Sequence, residues 1–127
     1  IPEVILKTLT SKKQIKIEGT GTHTRSFCFI DDFIEAFNIL LKKGKNKNIY
    51  NIGTQNEIKI KELAKKIINF SKKNMIITTS KEKLGSPSRR CPNISKIKKL
   101  GFNPRIDLNH GLKKTYEWYL KDIKNEL

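Results

Sequence analysis

The apolar period of this chain switches repeatedly between helical and extended spacing, and the order of those switches limits the fold more than any single motif. Val4, Ile5, Thr8 and Leu9 share one face of a short helix that Pro2 can open. Ile15-Lys16-Ile17 alternates as a strand and stops at Gly19. In the next strand Ser26, Cys28 and Ile30 face one way, Phe27 and Phe29 the other. From about Asp31 the spacing is helical again, through Phe33, Ile34, Phe37, Leu40 and Leu41, with Lys42 and Lys43 at the negative end and Gly44 as the stop. Residues 49–53 form a short, nearly continuous apolar strand of the kind buried on both faces in a parallel sheet.

A brief strand at 58–60 leads into the cleanest helix, with Ile60, Leu63, Ala64, Ile67 and Ile68 on one stripe. Residues 75–79 read as another strand. Residues 80–92 are the longest irregular stretch, punctuated by Gly85, Pro87 and Pro92, and a loop of that length in a compact domain is a functional candidate. Asn93 can cap a short helix carrying Ile94, Ile97 and Leu100. Asp107 caps the last helix, whose stripe is Leu108, Leu112, Tyr116 and Tyr119. The order predicts a single α/β unit over 1–127 with short strands and about five helices. It holds too few βαβ units for a complete doubly wound domain.

Composition narrows the function. The formal charge is +15, yet only four of the 27 basic residues are arginine: Arg25, Arg89, Arg90 and Arg105. Heavy use of Lys, Ile and Asn is what an A·T-rich coding sequence produces, and the lysines fall mostly on polar helix faces. The charge therefore reads as composition bias more than as a dedicated polyanion surface, although it favours anionic ligands. Cys28 and Cys91 are too few and too far apart for a zinc site, and a reduced cytosolic setting is the default. No apolar run approaches the ~20 residues of a bilayer span. The opening Ile1-Pro2-Glu3, without methionine, reads as an excised segment.

In a chain that otherwise uses lysine, arginine at two isolated places points to guanidinium geometry, because a planar fork can grip paired phosphate oxygens. Arg25 follows a glycine-bracketed loop, and Arg89-Arg90 lies in the long irregular stretch. The Gly19-Thr20-Gly21 turn is a poor phosphate loop: it lacks the third glycine and the Lys-Ser/Thr ending, and it leads into a strand. Where a helix does begin, Asp31 and Asp32 are expected caps that would repel a phosphate. An RNA-recognition strand is disfavoured, since Ser26 and Asp32 stand where glycine and a stacking aromatic belong. His23 and His110 have no evident partners and are expected at the surface.

Six segments in order, GTGTHTRSFCFIDD at 19–32, YNIG at 50–53, IKIKELA at 58–64, PSRRCPNISK at 87–96, LGFNP at 100–104 and LNHGL with TYEWY at 108–119, resemble the C-terminal portion of the extended short-chain dehydrogenases/reductases that act on nucleotide sugars. That group includes epimerases, 4,6-dehydratases and UDP-glucuronate decarboxylases. The resemblance implies the substrate-binding portion of a Rossmann-type protein, incomplete without an N-terminal dinucleotide-binding domain. It implies that Arg25 and Arg90 grip the diphosphate of a UDP-, dTDP- or GDP-linked sugar, with Arg89 able to substitute in a shifted register. Ile17 and Glu18 would lie beside the nucleoside, and Asn51 and Gly53 would support the site. NAD(P) would be bound mainly by the other domain of a cytoplasmic parent that forms a homodimer.

The chain departs from the family where Thr20 replaces an Asp, Glu18 an aromatic, Ser86 an Asp and Asn93 an Asp. It has neither the Gly-x-x-Gly-x-x-Gly turn nor the Tyr-x-x-x-Lys pair, so no catalytic residue and no metal ligand is expected here, and the segment alone is expected to be inactive. A basic nucleic-acid-binding module and a purely structural fragment are the alternatives.

Overall fold

Pro2 does open a helix, α1 (Pro2–Thr10), and the end of that helix is closed from a distance: the Lys73 ammonium donates to the carbonyls of Thr8, Leu9 and Ser11 at 2.9, 2.9 and 3.1 Å. The computed structural model describes residues 1–82 and 85–125. After α1 come β1 (Gln14–Ile17), β2 (Thr24–Ser26), α2 (Ile30–Lys43), β3 (Glu57–Lys59), α3 (Ile60–Ser71), β4 (Ile76–Thr79), β5 (Arg89–Arg90), α4 (Ser95–Lys98) and α5 (Leu108–Asn125). This is the expected α/β arrangement with five helices among the described residues. None of those helices is long and apolar enough to cross a membrane.

The strands form two small sheets. β1 runs parallel to β4, while β2 is the centre of a second sheet, antiparallel to β3 and parallel to β5. Helix α3 joins both. Leu63 and Ile67 pack with Ile5, Ile58, Leu112 and Tyr116, whereas Ala64 and Ile68 cover Ile15 and Ile17 of β1. Burying each large aliphatic side chain on this stripe stabilises the fold by about 1.5–3 kcal/mol. A third cluster joins Ala36 of α2 to Ile94, Ile97 and Phe102 around α4.

Three expectations change. The stripe of α2 does not face this core: Phe33, Ile34, Phe37 and Leu41 are 44, 51, 50 and 69 % exposed, and the buried residues of the helix are Asp32 and Ala36. Residues 49–53 form no strand among the described residues, and Ile49 is 83 % exposed. The strand expected through Ile30 ends at Ser26.

The caps also differ. Asp107 Oδ1 accepts the Asn109 and His110 amides and caps α5. Asp32 instead accepts the Arg105 and Ile106 amides, both at 3.0 Å, tying the start of α2 to the approach of α5. Gly44 ends α2 in extended rather than left-handed backbone. A Cβ there would stand 2.5 Å from the Leu40 carbonyl oxygen, so the close approach is what demands glycine.

Candidate functional site

The loop before β2 is fixed by its carbonyls. Gly21 has φ 78°, and a Cβ on it would lie 2.7 Å from Ile17 Cδ1 and 2.9 Å from Lys61 Cβ. Its carbonyl accepts the Lys61 amide at 2.9 Å, and the His23 carbonyl accepts the Ile60 amide at 3.0 Å. The first amides of α3, which need outside partners, find them here. The glycine turn thus presents acceptors to a helix start, which is the wrong polarity for a backbone phosphate cradle.

Beyond the loop, strand register sorts the arginines. Arg25 pairs with Ile58 on one side and Arg90 on the other, while Thr24 pairs with Arg89. Side chains alternate across a strand, so Arg25 and Arg90 share one face and Arg89 takes the other. Arg25 and Arg90 line one cavity of about 400 Å³. On the opposite face Arg89 makes a forked pair with Glu57, Nε to both oxygens at 3.0 Å and Nη2 to Oε1 at 2.6 Å, and Thr24 Oγ1 donates to the same carboxylate at 2.7 Å. The Arg89 hydrogen bonds, then that from Thr24, hold the Glu57 carboxyl below the usual glutamate range. Arg89 is not among the residues lining the cavity.

The cavity is lined by Lys7, Lys16, His23, Arg25 and Arg90, by the carboxylates of Glu3, Glu18 and Glu82, and by an apolar floor that includes Ile17, Phe27 and Leu63. Lys7 is engaged by Glu3 and by the Lys16 carbonyl at 2.8 Å. Arg25 Nη1 donates to the Thr24 carbonyl at 2.7 Å and reaches the Ser88 carbonyl at 3.5 Å, which steadies the head group. The Arg90 guanidinium has no hydrogen-bond or ion-pair partner among the described residues. A mixed-charge rim over apolar side chains suits a ligand with an anionic part and a flat or apolar part.

Ile17 and Glu18 reach the same cavity. Asn51 and Gly53 do not. They fasten the chain that follows β5: Asn51 Nδ2 donates to the Asn93 carbonyl at 3.1 Å, and a Cβ on Gly53 would stand 2.9 Å from Pro92 Cγ. His23, expected at the surface, is in the cavity wall with its side chain 17 % exposed. The signal for it was the spacing His23, Arg25, Phe27, since alternate residues of one strand share a face. His110 is exposed, as expected.

A second cavity of about 200 Å³, lined by Phe27, Cys28, Phe29 and Leu112 among others, is mainly apolar. Burial, then the nearby Asp32 charge, pushes the Cys28 thiol up, away from nucleophilic chemistry. Among the described residues no group of three His, Cys, Asp or Glu side chains is placed to hold a metal ion.

A family model described as the NAD dependent epimerase/dehydratase family matches residues 1–53. The chain is 36 % identical over 132 aligned residues to the dTDP-D-glucose 4,6-dehydratase of Bos taurus, covering 98 % of this chain and 37 % of that protein. It is 34 % identical to GDP-L-fucose synthase 1 of Arabidopsis thaliana, covering 89 % of this chain and 35 % of that one. Among solved structures, the UDP-glucuronic acid 4-epimerase of Bacillus cereus, in complex with UDP-glucuronic acid and NAD, superposes with a TM-score of 0.84 at 30 % identity, over 94 % of this chain and 38 % of that one. The dTDP-glucose 4,6-dehydratase of Bacillus anthracis, in complex with NAD, gives 0.83 at 28 %, over 97 % and 39 %. The chain thus spans little more than a third of the length of these relatives. Motif order and these likenesses agree: along nearly its whole length the chain is similar to members of the NAD-dependent epimerase/dehydratase family, extended short-chain dehydrogenases/reductases.

Proposed function

We propose that this chain is the nucleotide-sugar-binding part of an NAD(P)-dependent epimerase, dehydratase or decarboxylase, with Arg25 and Arg90 gripping the diphosphate of the substrate. The observation that carries the reading is the β2–β5 register, which sets two guanidiniums side by side on one face at one cavity. Two like charges on adjacent strands repel each other, and a diphosphate between them turns that repulsion into attraction. Two forks from separate segments would fix where the attached sugar sits, which is catalysis by positioning. Ile17 and Glu18 would flank the nucleoside. UDP, dTDP and GDP all remain candidates, because the relatives' names carry each of them.

The outward face of α2 supports the remaining part of the reading. Phe33, Ile34, Phe37 and Leu41, together with exposed Ile49, offer apolar surface of the kind that a further layer covers. A dinucleotide-binding domain of the parent protein would supply that layer. The residues present do not themselves fit NAD(P): the Gly19–Gly21 turn gives its carbonyls to α3 and lacks the third glycine, so no cofactor contact and no catalytic step is assigned to this chain.

Calorimetric titration with UDP, dTDP and GDP tests the proposal. At least one should bind more tightly than inorganic phosphate, and Arg25→Ala should weaken it by about tenfold or more, the usual effect of losing hydrogen bonds to a charged group. Binding no better than phosphate, or indifference to Arg25→Ala, would overturn it.

A further inference from the structure

We propose that His23 is a third ligand for the diphosphate and that Glu82 is its resting partner, which an entering phosphate displaces. The proposal rests on the reading of the Arg25–Arg90 cavity as a diphosphate site. The β2–β3 ladder is continued past Thr24 by the Ile60 amide on the His23 carbonyl, so His23, Arg25 and Phe27 project from one face. All three line the cavity that holds Arg90.

The imidazole is already engaged by an anion. His23 Nε2 lies 2.9 Å from Glu82 Oε1, with the histidine side chain 17 % exposed and the glutamate 43 % exposed. The Glu82 side chain lies against Gly19, where a Cβ would be 3.7 Å from Glu82 Cγ. A carboxylate oxygen at that distance occupies the place a phosphate oxygen would take on the same nitrogen. The Glu82 end of the contact is open to solvent, which screens it, so the carboxylate is easily exchanged. A diphosphate also gains Arg25 and Arg90, which Glu82 does not engage. If Glu82 stayed in place, its charge would oppose the ligand. The cavity therefore carries its own competitor for anions.

UDP titrations of the chain and its variants test this, with the imidazole signals of the two histidines followed by NMR. In the wild type UDP should move the His23 signal and leave that of exposed His110 in place. Glu82→Gln should tighten UDP by about two- to fivefold, the scale of an exposed pair. His23→Ala should weaken it by a similar or larger factor, and in the His23→Ala background Glu82→Gln should have a smaller effect. If Arg25→Ala weakens UDP but the His23 signal stays fixed, or Glu82→Gln leaves affinity unchanged or lower, the proposal is overturned and the two-arginine site stands. Absence of UDP binding, or no effect of Arg25→Ala, overturns both. Should His23→Ala fail to fold, the NMR shift and the Glu82→Gln affinity still decide.

Discussion

Removing the Asp32 carboxylate should cost more stability than removing any other acid in the chain. Its residue is 2 % exposed, and its two oxygens each accept one amide, from Arg105 and Ile106, at 3.0 Å. Asp32→Ala leaves both amides without that partner. Arg105 is exposed and its amide can recruit water, whereas Ile106 is half-buried. Taking about 1–2 kcal/mol for each lost charge-assisted bond gives a total of roughly 2–4 kcal/mol. With a urea m-value near 2 kcal/mol/M, the unfolding midpoint should fall by about 1–2 M. Asp32→Asn keeps one acceptor but turns an NH₂ group towards the second amide, so it should recover at most half of the loss. Asp31→Asn, on the exposed neighbour, should stay within about 0.5 kcal/mol of wild type. Equal midpoints for Asp32→Ala and wild type, or an equal loss for Asp31→Asn, would refute the assignment of the carboxylate as a tie between α2 and α5.

Gly21→Ala should destabilise by about 2–4 kcal/mol in the same urea assay, through left-handed strain plus displacement of Ile17 and Lys61. It should also weaken UDP, because the loop that sets β2 shifts with it. Glu57 gives a pH signature. Its carboxyl is held low in the folded state by Arg89 and Thr24, so its contribution is present above the unfolded glutamate value of about 4.3 and is lost as pH falls through the folded value. The melting-temperature gap between wild type and Glu57→Gln should therefore be open at pH 7 and narrow as pH falls below the unfolded glutamate value of about 4.3. A gap that persists unchanged across that range contradicts the ion-pair account.

Local period was enough to read the elements whose partners are close at hand. The stripe of Leu63, Ala64, Ile67 and Ile68 placed α3 correctly, and Asp107 marked the start of α5 because a cap is a short-range bond. Arg25 and Arg90 stood out from the scarcity of arginine and the resemblance, and both line one cavity. Period says which face is apolar but not what covers it, and so Phe33, Ile34, Phe37 and Leu41 promised a core that this chain does not place over them. The same gap applies to residues 49–53, which form no strand among the described residues. Asp32 looked like a cap because its true partners lie 73 and 74 residues away. His23 was hidden for a different reason: its chemistry depends on Glu82, from a loop whose path no periodicity reports.

The Glu57–Arg89 pair also bears on why two arginines stand in succession. β5 is two residues long, so its own hydrogen bonds do little to prevent a slip along β2. A slip that brought Ser88 opposite Thr24 would put Arg89 beside Arg25 and carry Arg90 to the face of Glu57, so both faces would still hold a guanidinium. The opposite slip would put Cys91 beside Arg25, empty that place of charge and set Arg90 opposite Thr24 in the position of Arg89. The doubled arginine therefore makes the short strand tolerant of one slip and not of the other. The fork between Glu57 and Arg89 belongs to the register that keeps Arg90 in the cavity.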